Sequence, residues 1–187
     1  MRIITGKAKG VRLMTLEGEM TRPTAERVKE AVFSMLQFDI EGRRVLDLFA
    51  GSGQMALEAL SRGAASAVLV DKSKDANKII AKNVEKTRFG ELCRVFLMDY
   101  SEYIRRYSGE SFDIVFLDPP YAAGLYAPAL RALLDAGMLK PTSLIVCESD
   151  TKDIFSKDAS LAERFDEVKV SRYSRTVITI LSPKKEG

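Results

Sequence analysis

From residue 44 onward, short apolar runs alternate with segments in which apolar residues recur every three or four positions. The apolar runs predict buried strands, and the three-to-four spacing predicts helices that pack on them. Strands and helices that alternate in this way form a mostly parallel sheet with helices on both faces, a doubly wound α/β fold. The predicted elements are strands Val45–Phe49, Ala67–Val70, Arg94–Leu97, Ile114–Leu117 and Leu144–Cys147, and helices Gln54–Ser61, Lys74–Arg88, Glu102–Arg106 and Ala127–Ala136.

The first forty residues follow a different pattern. Arg2–Thr5 and Val11–Met14 predict two short strands joined by a basic turn, so we expect a hairpin appended to the core. A helix follows, with Thr24 as its candidate N-cap and apolar residues from Val28 to Leu36 on one face.

The end of the chain also departs from the alternation. Phe165–Val170 and Thr176–Leu181 flank a polar turn and predict an antiparallel hairpin at one edge of the sheet. The 187 residues contain no linker-like segment. We therefore expect one domain over 1–187, with an N-terminal hairpin and helix extension (1–40) and a Rossmann-like core (41–187).

Composition narrows the chemistry that this chain can perform. Histidine is absent, which excludes a histidine base, a Ser-His triad and a histidine-ligated metal. The two cysteines lie far apart in apolar stretches, so we expect neither a disulfide framework nor a cysteine-ligated metal. The sequence has no apolar run of about 18 residues and no basic-then-apolar leader. We therefore expect a cytoplasmic protein with no membrane segment and no metal.

The net charge of +3 is small but unevenly distributed. Residues 1–30 contain seven Lys or Arg against four Asp or Glu, and residues 172–187 contain four against one. Basic ends are expected in a protein that touches a polyanion, although solvated chain ends are often charged without any such role. On the first interpretation, the candidate RNA phosphate contacts are Arg2, Lys7, Lys9 and Arg12.

A glycine-rich turn follows the first core strand. The segment from Asp47 to Gly53 has glycine at positions 51 and 53, which lets the backbone approach a nucleotide-like cofactor closely. Asp71 ends the next strand, where a carboxylate can accept both hydroxyls of a ribose. Asp99, beside Met98, is placed to meet an adenine edge. These residues fit NAD and S-adenosylmethionine equally well, and tight turns and solvated strand ends remain alternative explanations.

The segment Asp118–Tyr121 distinguishes between these cofactors. It directly follows an apolar strand, and because proline has no N–H the segment presents mainly oxygen acceptors. Asp118 and the Pro119 carbonyl would accept both hydrogens of an exocyclic amine, while Tyr121 stacks on the ring. Such an amine is a poor nucleophile, so holding it in line with an electrophilic methyl group is the catalysis required. The segment predicts N-methylation of a nucleobase, the alternative being an ordinary Asp-Pro-Pro turn.

Four motifs together resemble a known family. They are Arg22-Pro23-Thr24 followed by Arg27-Val28 and Glu30-Ala31-Val32-Phe33, Asp47-Leu48-Phe49-Ala50-Gly51-Ser52-Gly53, Leu57-Glu58-Ala59-Leu60-Ser61-Arg62-Gly63-Ala64, and Asp118-Pro119-Pro120-Tyr121. With these motifs the chain resembles the RsmD family of 16S rRNA guanine-N2 methyltransferases. The resemblance implies a Rossmann-like class I methyltransferase fold, S-adenosylmethionine as cofactor, and the N2 amine of a guanine in small-subunit ribosomal RNA as target.

The same resemblance assigns residues to roles. The candidate catalytic residues are Asp118, Pro119, Pro120 and Tyr121, which would hold the base. The candidate cofactor-binding residues are Asp47, Phe49, Gly51, Gly53, Asp71, Lys72, Met98 and Asp99, with Arg22 and Thr24 beside the methionine end of the cofactor. The chain departs from the family pattern at Tyr173–Thr176, which lacks the glycine expected after the tyrosine.

The length of the chain also bears on its substrate. Little sequence remains outside the core for a separate target-recognition domain, which favours a base presented by structured RNA over one flipped from duplex DNA. We expect ribosomal RNA in a small-subunit particle as the partner, and a monomeric protein. Two alternatives stay open, which are methylation of adenine or cytosine amines in DNA or RNA, and a noncatalytic RNA-binding module.

Overall fold

The computed structural model describes residues 1–16, 23–120 and 124–184. Within these ranges the strands of one sheet are β1 (Arg44–Asp47), β2 (Ser66–Asp71), β3 (Cys93–Leu97), β4 (Phe112–Leu117), β5 (Leu139–Ser149), β6 (Phe165–Tyr173) and β7 (Thr176–Pro183). Their order is β3-β2-β1-β4-β5-β7-β6. β1 to β5 pair in parallel, whereas β7 is antiparallel to β5 and β6. The strand order reverses between β1 and β4, where doubly wound sheets bind ligands.

Helices cover both faces of the sheet. They are α1 (Pro23–Met35), α2 (Gln54–Ser61), α3 (Lys74–Thr87), α4 (Tyr100–Arg106), α5 (Tyr126–Asp135) and α6 (Ala159–Ala162). Val45 of β1 packs on the α1–α3 side, and its neighbour Leu46 packs on the α4–α6 side. The predicted doubly wound α/β fold with an antiparallel C-terminal hairpin is therefore confirmed. None of the helices in the described ranges has the length and apolar character needed to cross a bilayer.

Several element boundaries differ from the sequence prediction, and three of the differences have a local cause. α1 already includes Pro23, so Thr24 lies in its first turn and is not the N-cap. Proline suits this position because first-turn N–H groups have no partner within the helix. α4 begins earlier than predicted because the Asp99 side chain caps it, accepting a hydrogen bond from the backbone N–H of Ser101. β5 also begins earlier, because its first residue pairs with the first residue of β4 across a register shift.

The turn between β6 and β7 forms without a glycine. Tyr173 pairs with Thr176, so the loop consists of Ser174 and Arg175. Ser174 adopts φ 57°, a left-handed conformation of the kind that two-residue hairpin turns require. Its carbonyl accepts a hydrogen bond from Arg172 Nε at 3.2 Å. The departure from the family pattern changes the turn residue and leaves the hairpin intact.

Residues 1–16, called here the N-terminal segment, are packed into the core. Their two arms pair through the antiparallel bridge between Arg2 and Arg12, and neither arm forms a longer strand. Ile3, Ala8 and Leu13 are buried in the apolar cluster that also contains the α1–α3 side of the sheet. The predicted hairpin is thus present but short, and its buried side chains belong to the same apolar core as the α1–α3 side of the sheet.

Glu58 of α2 holds the first turn of this segment. Its side chain is fully buried and accepts hydrogen bonds from the backbone N–H groups of Ile4 at 2.8 Å and Thr5 at 3.1 Å. It also forms ion pairs with Lys29 Nζ at 3.3 Å and Arg62 Nε at 2.9 Å. Burial lowers the pKa of Lys29, and the Glu58 carboxylate opposes this shift. Both oxygens of a buried carboxylate are therefore satisfied by the N-terminal segment and two cations.

Ser61, at the end of α2, holds the next residues. Its Oγ accepts a hydrogen bond from Ala8 N at 2.9 Å and donates one to the Thr5 carbonyl at 2.6 Å. Its own carbonyl accepts from Lys7 N at 2.8 Å. Gly6 has φ 86°, and a Cβ at this position would lie 1.8 Å from the Ser61 carbonyl oxygen. Only glycine permits this close approach of the segment to α2.

Candidate active site

The glycine-rich turn connects β1 to α2 at the carboxyl edge of the sheet. Asp71, at the end of β2, fixes the turn by accepting a hydrogen bond from Gly51 N at 2.9 Å. Its second carboxylate oxygen accepts from Ser73 N at 2.8 Å, at the start of α3. Gly53 has φ 77°, and a Cβ there would lie 2.9 Å from the buried side chain of Leu69. The turn therefore lies close against β2, with its backbone next to the Asp71 carboxylate.

A pocket of about 430 Å³ opens beside this turn, between the ends of β1 and β4. It lies at the reversal of strand order, where the topology predicts a ligand site. Eight of the predicted site residues line it, namely Phe49, Gly51, Asp71, Lys72, Asp99, Asp118, Pro119 and Pro120. The structure thus brings the candidate cofactor residues and the candidate base-binding residues to one cavity.

Three carboxylates lie around this pocket, at or just beyond the carboxyl ends of β2, β3 and β4. Asp118 is exposed, and Asp71 and Asp99 are half-buried. Asp99 accepts hydrogen bonds from the backbone N–H of Ser101 at 2.9 Å and from its hydroxyl at 2.6 Å. We call Asp71, Asp99 and Asp118 the pocket rim. Ionised carboxylates only accept hydrogen bonds, so the rim suits hydroxyl and amino groups of a ligand.

Asp47 does not line the pocket. It is 3% exposed at the end of β1, beneath the glycine-rich turn. Burial first, and the Asp71 carboxylate second, raise the pKa of Asp47 from its ordinary value of 3.8 to about 7, although hydrogen bonds from the backbone of Phe49 and Ala56 oppose this shift. The position of Asp47 makes it a support for the turn, on the side away from the cavity.

The remaining predicted site residues lie elsewhere or outside the described residues. Gly53 caps α2, and Met98 donates a backbone hydrogen bond to the Asp71 carbonyl at 3.2 Å while its side chain packs in the α4–α6 core. Neither lines the pocket. Arg22 and Tyr121 lie outside the described residues, as does the side chain of Thr24.

Four residues that were not predicted from the sequence also line the pocket: Leu16, Leu48, Tyr100 and Leu125. Tyr100 packs on Phe49 with ring centroids 5.2 Å apart. Partial burial and the neighbouring Asp99 carboxylate raise the pKa of Tyr100. Its position directly after the acid that ends a strand is a signal that the sequence does carry. Leu16 has no such signal, because it reaches the pocket through long-range contacts.

Asn83 of α3 provides those contacts. Its Oδ1 accepts a hydrogen bond from Met14 N at 2.8 Å, and its Nδ2 donates to the Met14 carbonyl at 2.9 Å. Nδ2 also donates to the carbonyl of Ser52, inside the glycine-rich turn, at 2.9 Å. One fully buried amide therefore joins the N-terminal segment to the turn and places Leu16 beside the pocket.

The candidate RNA contacts occupy the outer surface of the N-terminal segment and not the pocket. Arg2, Lys7, Lys9 and Arg12 are all exposed. Arg2 pairs with Glu26 of α1 at 3.1 Å. Because the backbone of the segment is fixed by α2 and α3, these four cations project from a defined surface.

Sequence and structure comparisons point to one family. A family described as "Conserved hypothetical protein 95" matches residues 1–182. The YlbH protein of Bacillus subtilis is 33% identical over 100% of both chains. The Escherichia coli protein named Ribosomal RNA small subunit methyltransferase D is 35% identical, over 82% of this chain and 76% of its own.

Solved structures agree with this assignment. The Escherichia coli protein yhhF has a TM-score of 0.84 and 29% identity, covering 100% of this chain and 99% of that one. A conserved hypothetical protein of Streptococcus pyogenes has a TM-score of 0.75 and 35% identity, covering 83% of this chain and 95% of that one. The chain therefore belongs to the family described as "Conserved hypothetical protein 95", which is the RsmD family that its motifs resemble.

Proposed function

We propose that this protein is an S-adenosylmethionine-dependent methyltransferase that acts on the N2 amine of a guanine in 16S ribosomal RNA. The observation that carries the proposal is the pocket at the strand-order reversal, lined by the glycine-rich turn on one side and by Asp118–Pro120 on the other. An Escherichia coli member of the same family is named for methylation of small-subunit ribosomal RNA. We also propose that the reaction occurs in the cytoplasm, on RNA within a small-subunit particle, and that the enzyme is a monomer.

The turn side of the pocket fits S-adenosylmethionine. Gly51 carries no side chain, so a ligand can approach the backbone of the turn where it lines the pocket. The carboxylates of Asp71 and Asp99 accept ribose hydroxyls and the adenine amino group, and Phe49 and Tyr100 supply apolar contact. When bound, this cofactor supplies an electrophilic methyl group. Asp47 supports the turn from below, and Arg22 and Thr24 contact the methionine end.

The Asp118 side of the pocket fits an amine attached to a planar ring. The carboxylate of Asp118 and the carbonyl of Pro119 accept the two amine hydrogens, which directs the nitrogen lone pair toward the methyl group. This needs no prior deprotonation, because position and electrostatics supply the catalysis. In good cases, such placement of two reactants lowers the barrier by roughly 7–11 kcal/mol. Pro120 stiffens the segment, and Tyr121 stacks on the base.

The N-terminal segment supplies contacts to the RNA backbone. Arg2, Lys7, Lys9 and Arg12 are exposed on a segment whose backbone is held by buried side chains, so their charges are presented in a fixed arrangement. Phosphate contacts of this kind position a substrate without reading its sequence. The base itself is then read in the pocket.

Substitution of Asp118 tests the proposal. Asp118→Asn keeps the size of the side chain but loses the charge, and we expect turnover to fall on the order of 10²–10³-fold. Cofactor affinity, measured by calorimetry, should stay unchanged because, of the two proposed ligands, Asp118 holds the acceptor base and not the cofactor. Asp150→Asn is the matched control, since Asp150 is also an exposed acid that follows a strand but does not line the pocket. Undiminished methyl transfer by Asp118→Asn would reject the mechanism.

The substrate is identified by mapping the modified base after methyl transfer to hypomethylated small-subunit particles. Modification at guanine N2 supports the proposal, and modification at an adenine or cytosine amine shifts it to another base. If the folded wild-type protein binds no S-adenosylmethionine in calorimetry, only a noncatalytic RNA-binding module remains.

A further inference from the structure

A row of lysines runs along the outer face of α3. Lys74, Lys78, Lys82 and Lys86 recur at every fourth position, and all four are exposed. We call them the lysine row. The opposite face of the helix carries its buried residues, which are Ala76, Ile80, Asn83 and Thr87. A rise of about 1.5 Å per residue makes the row about 18 Å long.

The lysine row connects two sites that the proposed function already uses. It begins two positions after Lys72, which lines the pocket. It ends beside the N-terminal segment, where Lys86 Nζ lies 3.5 Å from the Arg12 carbonyl oxygen and donates to it. The row therefore continues the basic surface of Arg12 toward the cofactor side of the pocket.

The row works against the stability of its own helix. Like charges four residues apart destabilise a helix by about 0.2–0.5 kcal/mol per pair, and the row contains three such pairs in succession. Lys78 pairs with Asp75 at 3.0 Å, while within the described ranges neither Lys74 nor Lys82 has an ion-pair partner. A helix that only needed to be solvated would gain from alternating charges. The unbalanced row instead suits an external polyanion.

We propose that the lysine row is a contact surface for the phosphodiester backbone of the RNA whose base enters the pocket. This inference rests on the proposed function. The linear arrangement of flexible point charges suits successive phosphates and reads no sequence. A membrane surface fits less well, because the exposed positions of α3 carry no large apolar side chain to insert.

Charge removal tests the lysine row directly. The variant with Lys74→Gln, Lys78→Gln, Lys82→Gln and Lys86→Gln is compared with wild type for binding to a transcript of small-subunit ribosomal RNA at several salt concentrations. Each lost phosphate contact reduces the slope of log K against log salt by about 0.7 for a single strand, so four lost contacts reduce it by about 3. At low salt we expect affinity to fall more than tenfold.

Two further variants separate contact from net charge. The first removes four exposed cations away from the row, Arg105→Gln, Arg106→Gln, Lys157→Gln and Lys169→Gln, and should keep the wild-type slope. The second replaces the row with arginines and should bind as wild type does. The proposed RNA contact is rejected if the glutamine variant and the four-cation control show the same slope of log K against log salt. It is also rejected if the glutamine variant loses binding to vesicles of anionic lipid but not to RNA.

The two proposals fail separately. If wild type transfers no methyl group to any RNA, the proposed function is rejected, regardless of how RNA binding depends on salt. If wild type is active and the slopes are equal, only the lysine row fails. If the lysine row binds RNA, the glutamine variant should show a raised KM for RNA. Its kcat at saturation and its cofactor affinity should stay unchanged, because no lysine of the row lines the pocket.

Discussion

The N-terminal segment and the pocket rim both depend on polar side chains, but they use them differently. Around the N-terminal segment, Glu58, Ser61 and Asn83 are fully buried and bonded to backbone groups of residues 4–14. At the rim, the carboxylates of Asp71 and Asp99 bond to neighbouring turns and still face an open cavity of about 430 Å³. Buried polar groups whose partners lie in the protein stabilise the fold, whereas polar groups facing a cavity remain available to a ligand.

This difference predicts opposite effects of substitution in the two regions. A change at the N-terminal segment should lower the free energy of unfolding, because it leaves buried donors or acceptors without partners. A change at the rim, such as Asp118→Asn, should lower turnover with little effect on stability. The following variants test how far the separation holds.

The largest loss of stability is expected for Glu58→Gln. The change leaves the buried ammonium group of Lys29 without its carboxylate, and breaking a buried ion pair in this way costs about 3–5 kcal/mol. Glu26→Gln is the matched control, because Glu26 also pairs with a cation, Arg2, but that pair is largely exposed. The control should cost about 0–1 kcal/mol. Denaturant unfolding measures the loss of stability of each variant. Equal losses would mean that the buried ion pair contributes no more than the exposed one.

The next largest loss of stability, smaller than that of Glu58→Gln, is expected for Gly6→Ala. Its matched control is Gly10→Ala. The two glycines have nearly the same φ, 86° and 85°, so the left-handed conformation costs both variants about 1–2 kcal/mol. A Cβ at position 6 would also meet the Ser61 carbonyl oxygen at 1.8 Å, whereas a Cβ at position 10 meets nothing within 4 Å. Gly6→Ala must therefore move the segment away from α2.

The movement breaks the hydrogen bonds that Lys7 N and Ala8 N donate to Ser61. Each lost hydrogen bond costs about 0.5–1.5 kcal/mol of stability. Gly6→Ala should therefore lose roughly 1–3 kcal/mol more than Gly10→Ala in denaturant unfolding. Hydrogen exchange of the Lys7 and Ala8 amides should accelerate in the first variant only. If both variants lose the same stability, the segment is not held against α2 as described.

The rim was predictable because its residues adjoin strand ends in the sequence. Asp71, Asp99 and Asp118 each follow a recognisable apolar strand, and parallel strands bring their carboxyl ends to one edge. Glu148 also ends the recognisable part of a strand, but it does not line the pocket. Proximity at the edge is thus predicted by the strand pattern, whereas the direction of each side chain depends on packing.

The packing of the N-terminal segment was not predictable in the same way. Glu58 binds Ile4 across 54 positions, and Asn83 binds Met14 across 69. Hydrophobic periodicity reports which face of a helix is buried and does not report polar partners so far away in the sequence. The local clue was Glu58 itself, a charged residue between Leu57 and Ala59 in the apolar middle of α2, since a buried charge requires partners.

Asp47 combines features of both regions, because it is buried like Glu58 but lies directly beneath the glycine-rich turn. It gives the smallest predicted change in stability. Burial and the Asp71 carboxylate raise its pKa from 3.8 to about 7, so the folded protein keeps a proton that the unfolded chain has released. The resulting stabilisation is fully present below about pH 4 and is lost as the pH rises through about 7. Wild type should therefore lose about 1 kcal/mol of stability between about pH 6 and pH 8 from this group alone.

Asp47→Asn removes this titration while keeping the size of the side chain. We expect the stability of the variant relative to wild type to increase by about 1 kcal/mol over the same pH interval, as measured by denaturant unfolding at each pH. Asp150→Asn, at an exposed acid, should instead follow the wild-type curve at constant separation. If the Asp47→Asn curve also runs parallel to wild type, Asp47 is already ionised at neutral pH. In that case the protein would hold an ionised carboxylate beneath the turn, close to the Asp71 carboxylate of the pocket rim.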